Sequence, residues 1–159
     1  MPDLLRPGLK LVICGSAAGR RSAEVGAYYA GPGNKFWRIL HESGLTPRRL
    51  APEEFRALLD HGIGLTDLAK AYAGGDAGIR RADDDVDGLT AKIARHTPRW
   101  LGFNGKRAAQ AVLGRRIDYG LQAECLARSR LFVLPSTAGA ASGHWDAAPW
   151  HELAGLLRG

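Results

Sequence analysis

Cysteine is scarce in this chain of 159 residues: Cys14 and Cys125 are the only two. That excludes a disulfide framework and a four-cysteine metal site, and both thiols read as small buried hydrophobes. No stretch approaches the roughly 18 consecutive apolar residues of a membrane span. The opening MPDLLRPGLK has no charged head followed by an apolar run, so no signal peptide is expected and a cytoplasmic location is. Repeats, low-complexity segments and interdomain linkers are missing as well, which predicts a single domain over 1–159. The five histidines show no metal-ligand spacing, so neither metal nor cofactor is expected. No apolar oligomer seam stands out, and the expectation is a monomer without an obligate protein partner.

Acidic residues are the minority charge. Sixteen Asp and Glu stand against 22 Lys and Arg, for a formal net charge of +6. Such a balance favours a polyanionic partner, because Lys and Arg contacts to phosphates drive nucleic-acid affinity.

What the chain does hold is an alternation of short apolar runs and helical segments. LVICG, at 11–15, is a buried strand that empties into the small-residue loop GSAAG. A Gly/Ala/Arg-rich loop covers 16–33, and a helix starts near Asn34 in NKFWRILHESG. PEEFRALLDHG reads as a second helix, with Pro52 and two acids in its first turn. GIGLTDLAK is a loop or brief strand, and 73–85 is a polar surface loop whose acids Asp83–Asp85 precede and cap the next helix, VDGLTAKIARH. RWLGFN is a strand, KRAAQAVL a helix, 115–130 ambiguous, RLFVL the clearest strand and PWHELAGLL the closing helix. This order predicts a three-layer α/β/α fold around a mostly parallel sheet. Three strand ends carry small-residue loops, GSAAG, FNGK and PSTAG, and ligands of open α/β sheets bind at those ends.

GSAAG is neither a Walker loop nor a GxGxxG turn, and tight strand-to-helix packing would also explain it. The stretch AYYAGPGNKFW is more telling. Phe36 and Trp37 fit a core, while Tyr28 and Tyr29 fall in a loop, where aromatic rings stack on flat ligands. Asn34 fits either an N-cap or a functional side chain.

Taken in order, PGLKLVICGSAAG, YYAGPGNKFWRIL, GLTPRRLAPEEFRALLDHGIGLTDLAK, FNGKRAA and LFVLPST resemble the motifs of the uracil-DNA glycosylase superfamily, on its mismatch-specific (double-strand uracil) branch. The resemblance spans most of the chain. It implies an enzyme that flips a damaged nucleotide out of duplex DNA and hydrolyses its N-glycosidic bond. The implied cellular setting is bacterial cytoplasm with nucleoid DNA as substrate. The implied base-binding wall is Gly15, Ser16, Ala17, Ala18 and Gly19, with Tyr29 stacking on the base. The second motif, VLPSTAGAASGHWD, would enter the minor groove. Ser136, Thr137, His144 and Trp145 are its candidate DNA contacts, and Lys106, at the start of the helix after FNG, resembles a family position near the DNA backbone; His144 also fits a surface position, and Trp145 also fits a core.

Two departures stand out. The family asparagine two residues after the first loop glycine is Ala17 here, and that of the second motif is Ser136. Either the enzyme is inactive or another group supplies the chemistry, and the resemblance offers two candidate catalytic residues, Asp67 at the end of GIGLTD and Asn34 at the start of NKFW. A carboxylate can stabilise an oxocarbenium-like sugar and take a proton from attacking water. Asp67 could equally cap a helix over LAKAYA. No lysine stands out at the centre of the site for a Schiff base, so an abasic product without strand cleavage is expected. Two other readings use the same residues: a protein that binds uracil-containing or abasic DNA without turnover, and a nucleoside hydrolase.

Overall fold

Every residue of β1 (Leu11–Gly15) is buried, as are those of β2 (Ile63–Asp67) and β3 (Trp100–Asn104). Strands covered on both faces read as unbroken apolar runs. The computed structural model describes residues 1–158; Gly159, the last residue of the expected domain, lies outside them. Five strands form one sheet in the order β2-β1-β3-β5-β4, with β4 (Gly120–Leu126) and β5 (Ser129–Leu134) as its far edge. β1, β2, β3 and β5 run parallel, and β4 pairs antiparallel with β5. The fold is α/β with a mostly parallel sheet between helical layers, as the alternation predicts.

Side chains alternate along each strand and feed two cores. Leu11 and Ile13 point to the face covered by α2 (Phe36–Glu42), the 3₁₀ segment Pro52–His61 and α5 (Ala148–Arg158). Val12 and Cys14 point the other way, onto α3 (Val86–His96) and α4 (Lys106–Leu113). Phe36, Trp37 and Trp150 fill the first core. No described helix is long and apolar enough to cross a membrane.

Several local readings change. PEEFRALLDH forms 3₁₀ turns rather than an α-helix, between Pro52 and the left-handed Gly62. The loop read over 16–33 contains a six-residue helix, α1 (Arg20–Val25). Of the two readings of GIGLTDLAK the strand holds, as β2 over Ile63–Asp67, and 115–130 hides β4, whose edge position leaves alternate residues exposed. The NKFW helix begins at Phe36, not Asn34: the Asn34 side chain accepts the Phe36 amide at 3.0 Å. The cap predicted among the acids is real, because Asp85 accepts the Gly88 amide at 2.9 Å. Tyr28 sits in a turn, as expected, and edges the cavity, but its ring is packed into the core, only 2% exposed, with its hydroxyl donating to the Pro2 carbonyl at 2.7 Å.

Candidate active site

Parallel pairing brings the carboxyl ends of β1, β2 and β3 to one edge, and β1 sits where the chain order reverses, flanked by β2 and β3. A crevice at such a switch point is the expected ligand site. A cavity of about 550 Å³ opens there, with Gly15, Asp67 and Asn104 at the strand ends among its lining residues.

Gly15 faces Asp67 across the last rung of the β1–β2 ladder. A Cβ on Gly15 would stand 2.9 Å from Asp67 Oδ1 and 3.1 Å from the Tyr29 hydroxyl. The glycine is thus required by space rather than by backbone conformation. Beyond it, the carbonyls of Gly15, Ser16 and Ala18 accept from the amides of Leu68, Ala69 and Gly74. In a trans peptide the amide of the following residue points the opposite way, so the N–H groups of Ser16, Ala17 and Gly19 face away from that segment. Residues 15–19 all line the cavity.

Tyr29 also lines it. Its ring stacks on Phe36, with centroids 3.9 Å apart and planes at 22°. Its backbone is left-handed, at φ 52°, a conformation that costs energy for a bulky side chain and is tolerated where the surroundings impose it. Asn34 lines the cavity too, with its carbonyl oxygen committed to the cap of α2.

Asp67 is 3% exposed. Burial pushes its carboxyl above the ordinary aspartate range, the Lys70 ammonium pulls it back, and Asp3 pushes it up again. No helix follows Asp67; the chain turns away from the end of β2, so the capping role over LAKAYA does not exist.

The third wall is the loop after β5. Thr137 is fully buried, its hydroxyl accepting from Asn104 Nδ2 and its amide donating to Asn104 Oδ1, both at 3.0 Å. That pair latches the loop to the end of β3. Ser136 lines the cavity and accepts the Ala138 amide at 3.2 Å. Residues Gly139–His144 form a 3₁₀ turn that ends with His144, exposed and at the cavity. The turn is fastened to the opposite wall. A Cβ on Gly139 would meet the Gly33 carbonyl at 3.3 Å, the Lys35 amide donates to the Thr137 carbonyl at 2.9 Å, and Lys35 Nζ reaches Ser142 Oγ at 2.7 Å.

Not every candidate gathers here. Trp145 is half-buried against the core of α2 and α5, with Lys35 Nζ 5.6 Å from its ring centroid. Lys106 starts α4 beside Asn104, and its ammonium stands 4.4 Å above the Tyr119 ring rather than in the cavity lining. Sequence reasoning missed Asn104, whose one signal is a polar residue closing the apolar strand WLGFN. It also missed Arg20 and Arg21 at the cavity, the covering residues Gly74, Gly75 and Ala77, and the ion pair of Lys70 with Asp67 at 3.6 Å. Among the described residues, no three His, Cys, Asp or Glu side chains converge as metal ligands would.

A parallel sheet with a cavity at its switch point, walled by main-chain loops, an aromatic ring and one buried carboxylate, defines a ligand-binding α/β protein. The chain belongs to the uracil DNA glycosylase superfamily, whose model matches residues 2–154. It is similar to a solution NMR structure from Methanosarcina acetivorans described as "a putative Uracil DNA glycosylase". The two share 26% identity with a TM-score of 0.70, over 100% of this chain and 97% of that one.

Proposed function

We propose that this protein is a monofunctional DNA glycosylase that hydrolyses the N-glycosidic bond of uracil in duplex DNA, of the mismatch-specific branch but without that branch's motif asparagines. The reading takes in the whole chain as one domain that works as a monomer. One observation carries it: a single buried carboxylate, Asp67, stands at the wall of a cavity opposite small-residue peptide units and beside a stacked aromatic ring.

The chemistry follows from those parts. A flipped base enters the cavity and lies along Tyr29, whose back is braced by Phe36. The C1′–N bond breaks and its electron pair leaves with the base. Amides of residues 16–19 receive the negative charge that develops on the base oxygen, in the manner of an oxyanion hole. Asp67 stabilises the positive sugar and takes a proton from the water that attacks C1′. The products are the free base and an abasic site. Asn34 supports the reaction by holding the amide of Phe36, the ring that braces Tyr29, which ranks it behind Asp67. Arg20, Arg21, Lys106, Ser136 and His144 contact the DNA backbone, and the 139–144 turn fills the gap left by the base.

The test is excision from end-labelled duplexes carrying G·U, A·U or G·hypoxanthine, and from single-stranded uracil DNA, with alkali to cut abasic sites. Parent, Asp67→Asn and Asn34→Ala run side by side. Product that falls by orders of magnitude in Asp67→Asn supports the carboxylate mechanism. A second reading, a lesion-binding protein without turnover, rests on Ala17 and Ser136 standing where the family carries asparagine. Tight binding with no product from any duplex would establish that reading instead.

A further inference from the structure

Asp67 is one end of a line of charges that reaches the N-terminal segment. Lys70 Nζ lies 2.8 Å from Asp3 Oδ1 but 3.6 Å from Asp67 Oδ2. Asp3 binds Lys92 Nζ at 2.8 Å through its other oxygen and accepts the Thr66 hydroxyl at 2.7 Å. It reaches this position because Leu4 exchanges backbone hydrogen bonds of 2.9 and 2.8 Å with Leu65, laying the segment antiparallel beside β2.

Two carboxylates thus compete for one ammonium, and Asp3 holds it closer. Asp67 Oδ2 is buried and has no hydrogen-bond partner among the described residues. An ionised oxygen with a cation at 3.6 Å but no donor on its lone pairs keeps both its charge and its capacity to accept. We propose that Lys70 is a positioning residue, shared between Asp3 and Asp67, that keeps Asp67 ionised without occupying it. This rests on the glycosylase reading of the site.

Other groups around Asp67 are accounted for. The Tyr29 hydroxyl and Asp67 Oδ1 both border the space beside Gly15. Tyr28, whose hydroxyl accepts from Lys70 Nζ at 3.4 Å, and Cys14 pack nearby, and burial holds both far above their ordinary titration ranges, so they stay neutral. The N-terminal ammonium adds a weaker attraction. Asp3, half-buried, is driven up by burial, but the hydrogen bonds of Lys70, Lys92 and Thr66 outweigh this and hold it below the ordinary range. It therefore remains charged wherever Asp67 works.

The two carboxylate partners of Lys70 give opposite signs. Lys70→Met removes the cation and should move the acid limb of the single-turnover pH–rate profile upward by about one unit or more, with the rate recovering at high pH. Lys70→Arg should keep the parent profile. Asp3→Asn removes a negative charge and releases Lys70 toward Asp67, so its limb should move downward. Limbs that shift the same way in both variants, or a rate that falls evenly at every pH, would overturn the proposal. Carboxyl ¹³C titration of Asp67 in the same proteins without DNA separates the two claims. Opposite Asp67 titration shifts in Lys70→Met and Asp3→Asn, with a parent that excises nothing, would keep the shared lysine and sink the glycosylase reading. An unmoved titration in an active parent would do the reverse.

Discussion

The carboxylate of Asp67 occupies the space in which a side chain on Gly15 would have to stand. The two are paired at the last rung of the β1–β2 ladder, so the absence of one side chain sets the position of the other. A methyl group on Gly15 must displace Asp67 Oδ1, Tyr29 or the strand end itself.

Gly15→Ala should therefore cut single-turnover excision by about a hundredfold, the scale expected when a reacting group moves by about an ångström. Gly155→Ala is the control, because it lies on α5 outside the cavity lining and a Cβ there meets nothing closer than 4.0 Å. It should stay within a few-fold of the parent. Equal losses in both variants would trace the loss to general destabilisation rather than to Asp67.

Asp67→Asn should change stability in a pH-dependent way. The folded state raises the Asp67 carboxyl through burial, so it binds protons more tightly than the unfolded chain does. The stabilisation this gives is complete below the ordinary aspartate range and is lost as pH rises through the elevated folded value. The difference in melting temperature, Asp67→Asn minus parent, should consequently grow more positive between acid and neutral pH. A flat difference across that range would mean that Lys70 cancels the burial effect.

Removing the latch between β3 and the loop after β5 should cost stability and activity together. Asn104→Ala leaves the buried Thr137 amide without its partner, for about 1–3 kcal/mol in urea unfolding. Thr137→Val keeps that amide bond and loses only the side-chain one, for about 1 kcal/mol. In both, excision should fall more than the folded fraction does, since the loop also carries Ser136 and His144.

DNA affinity should report which arginines touch phosphate. Arg20→Ala and Arg21→Ala, at the cavity, should each flatten the log–log salt dependence of duplex binding by about 0.9 for every phosphate that the arginine neutralises. Arg99→Ala should not, because Arg99 precedes Trp100 at the opposite end of β3, where it lines a separate groove. A flattened slope for Arg99→Ala would place the duplex on the far side of the sheet.

The central sheet was legible because parallel strands covered on both faces must be apolar through their middles, as LVICG, WLGFN and RLFVL are apart from Asn104 and Arg130 at strand ends. The edge strand β4 was not, since half of GLQAECL faces solvent. Helix α1 escaped notice because RRSAEV is short and its capping residue, Gly19, offers no side chain to mark it. Gly15, Tyr29, Asn34 and Asp67 could be named from motifs because each sits in a local pattern. Asp3 could not: its hydrogen bond with Thr66 joins residues 63 apart, and nothing in MPDLL announces it. Local sequence carries strands and loops, whereas the charge around Asp67 is assembled by the fold.

The close approach of Gly33 and Gly139 has a mechanical side. Two walls of the cleft touch there through main chain alone, and the bonds from Lys35 to Thr137 and Ser142 close the same seam. On the proposed function, a seam fastened at that point favours bending of the nucleic acid over widening of the cleft. Extrusion would then be fastest where the helix is already soft, and weak pairing at a mispaired base, rather than any contact with its partner strand, would become the filter that selects the lesion.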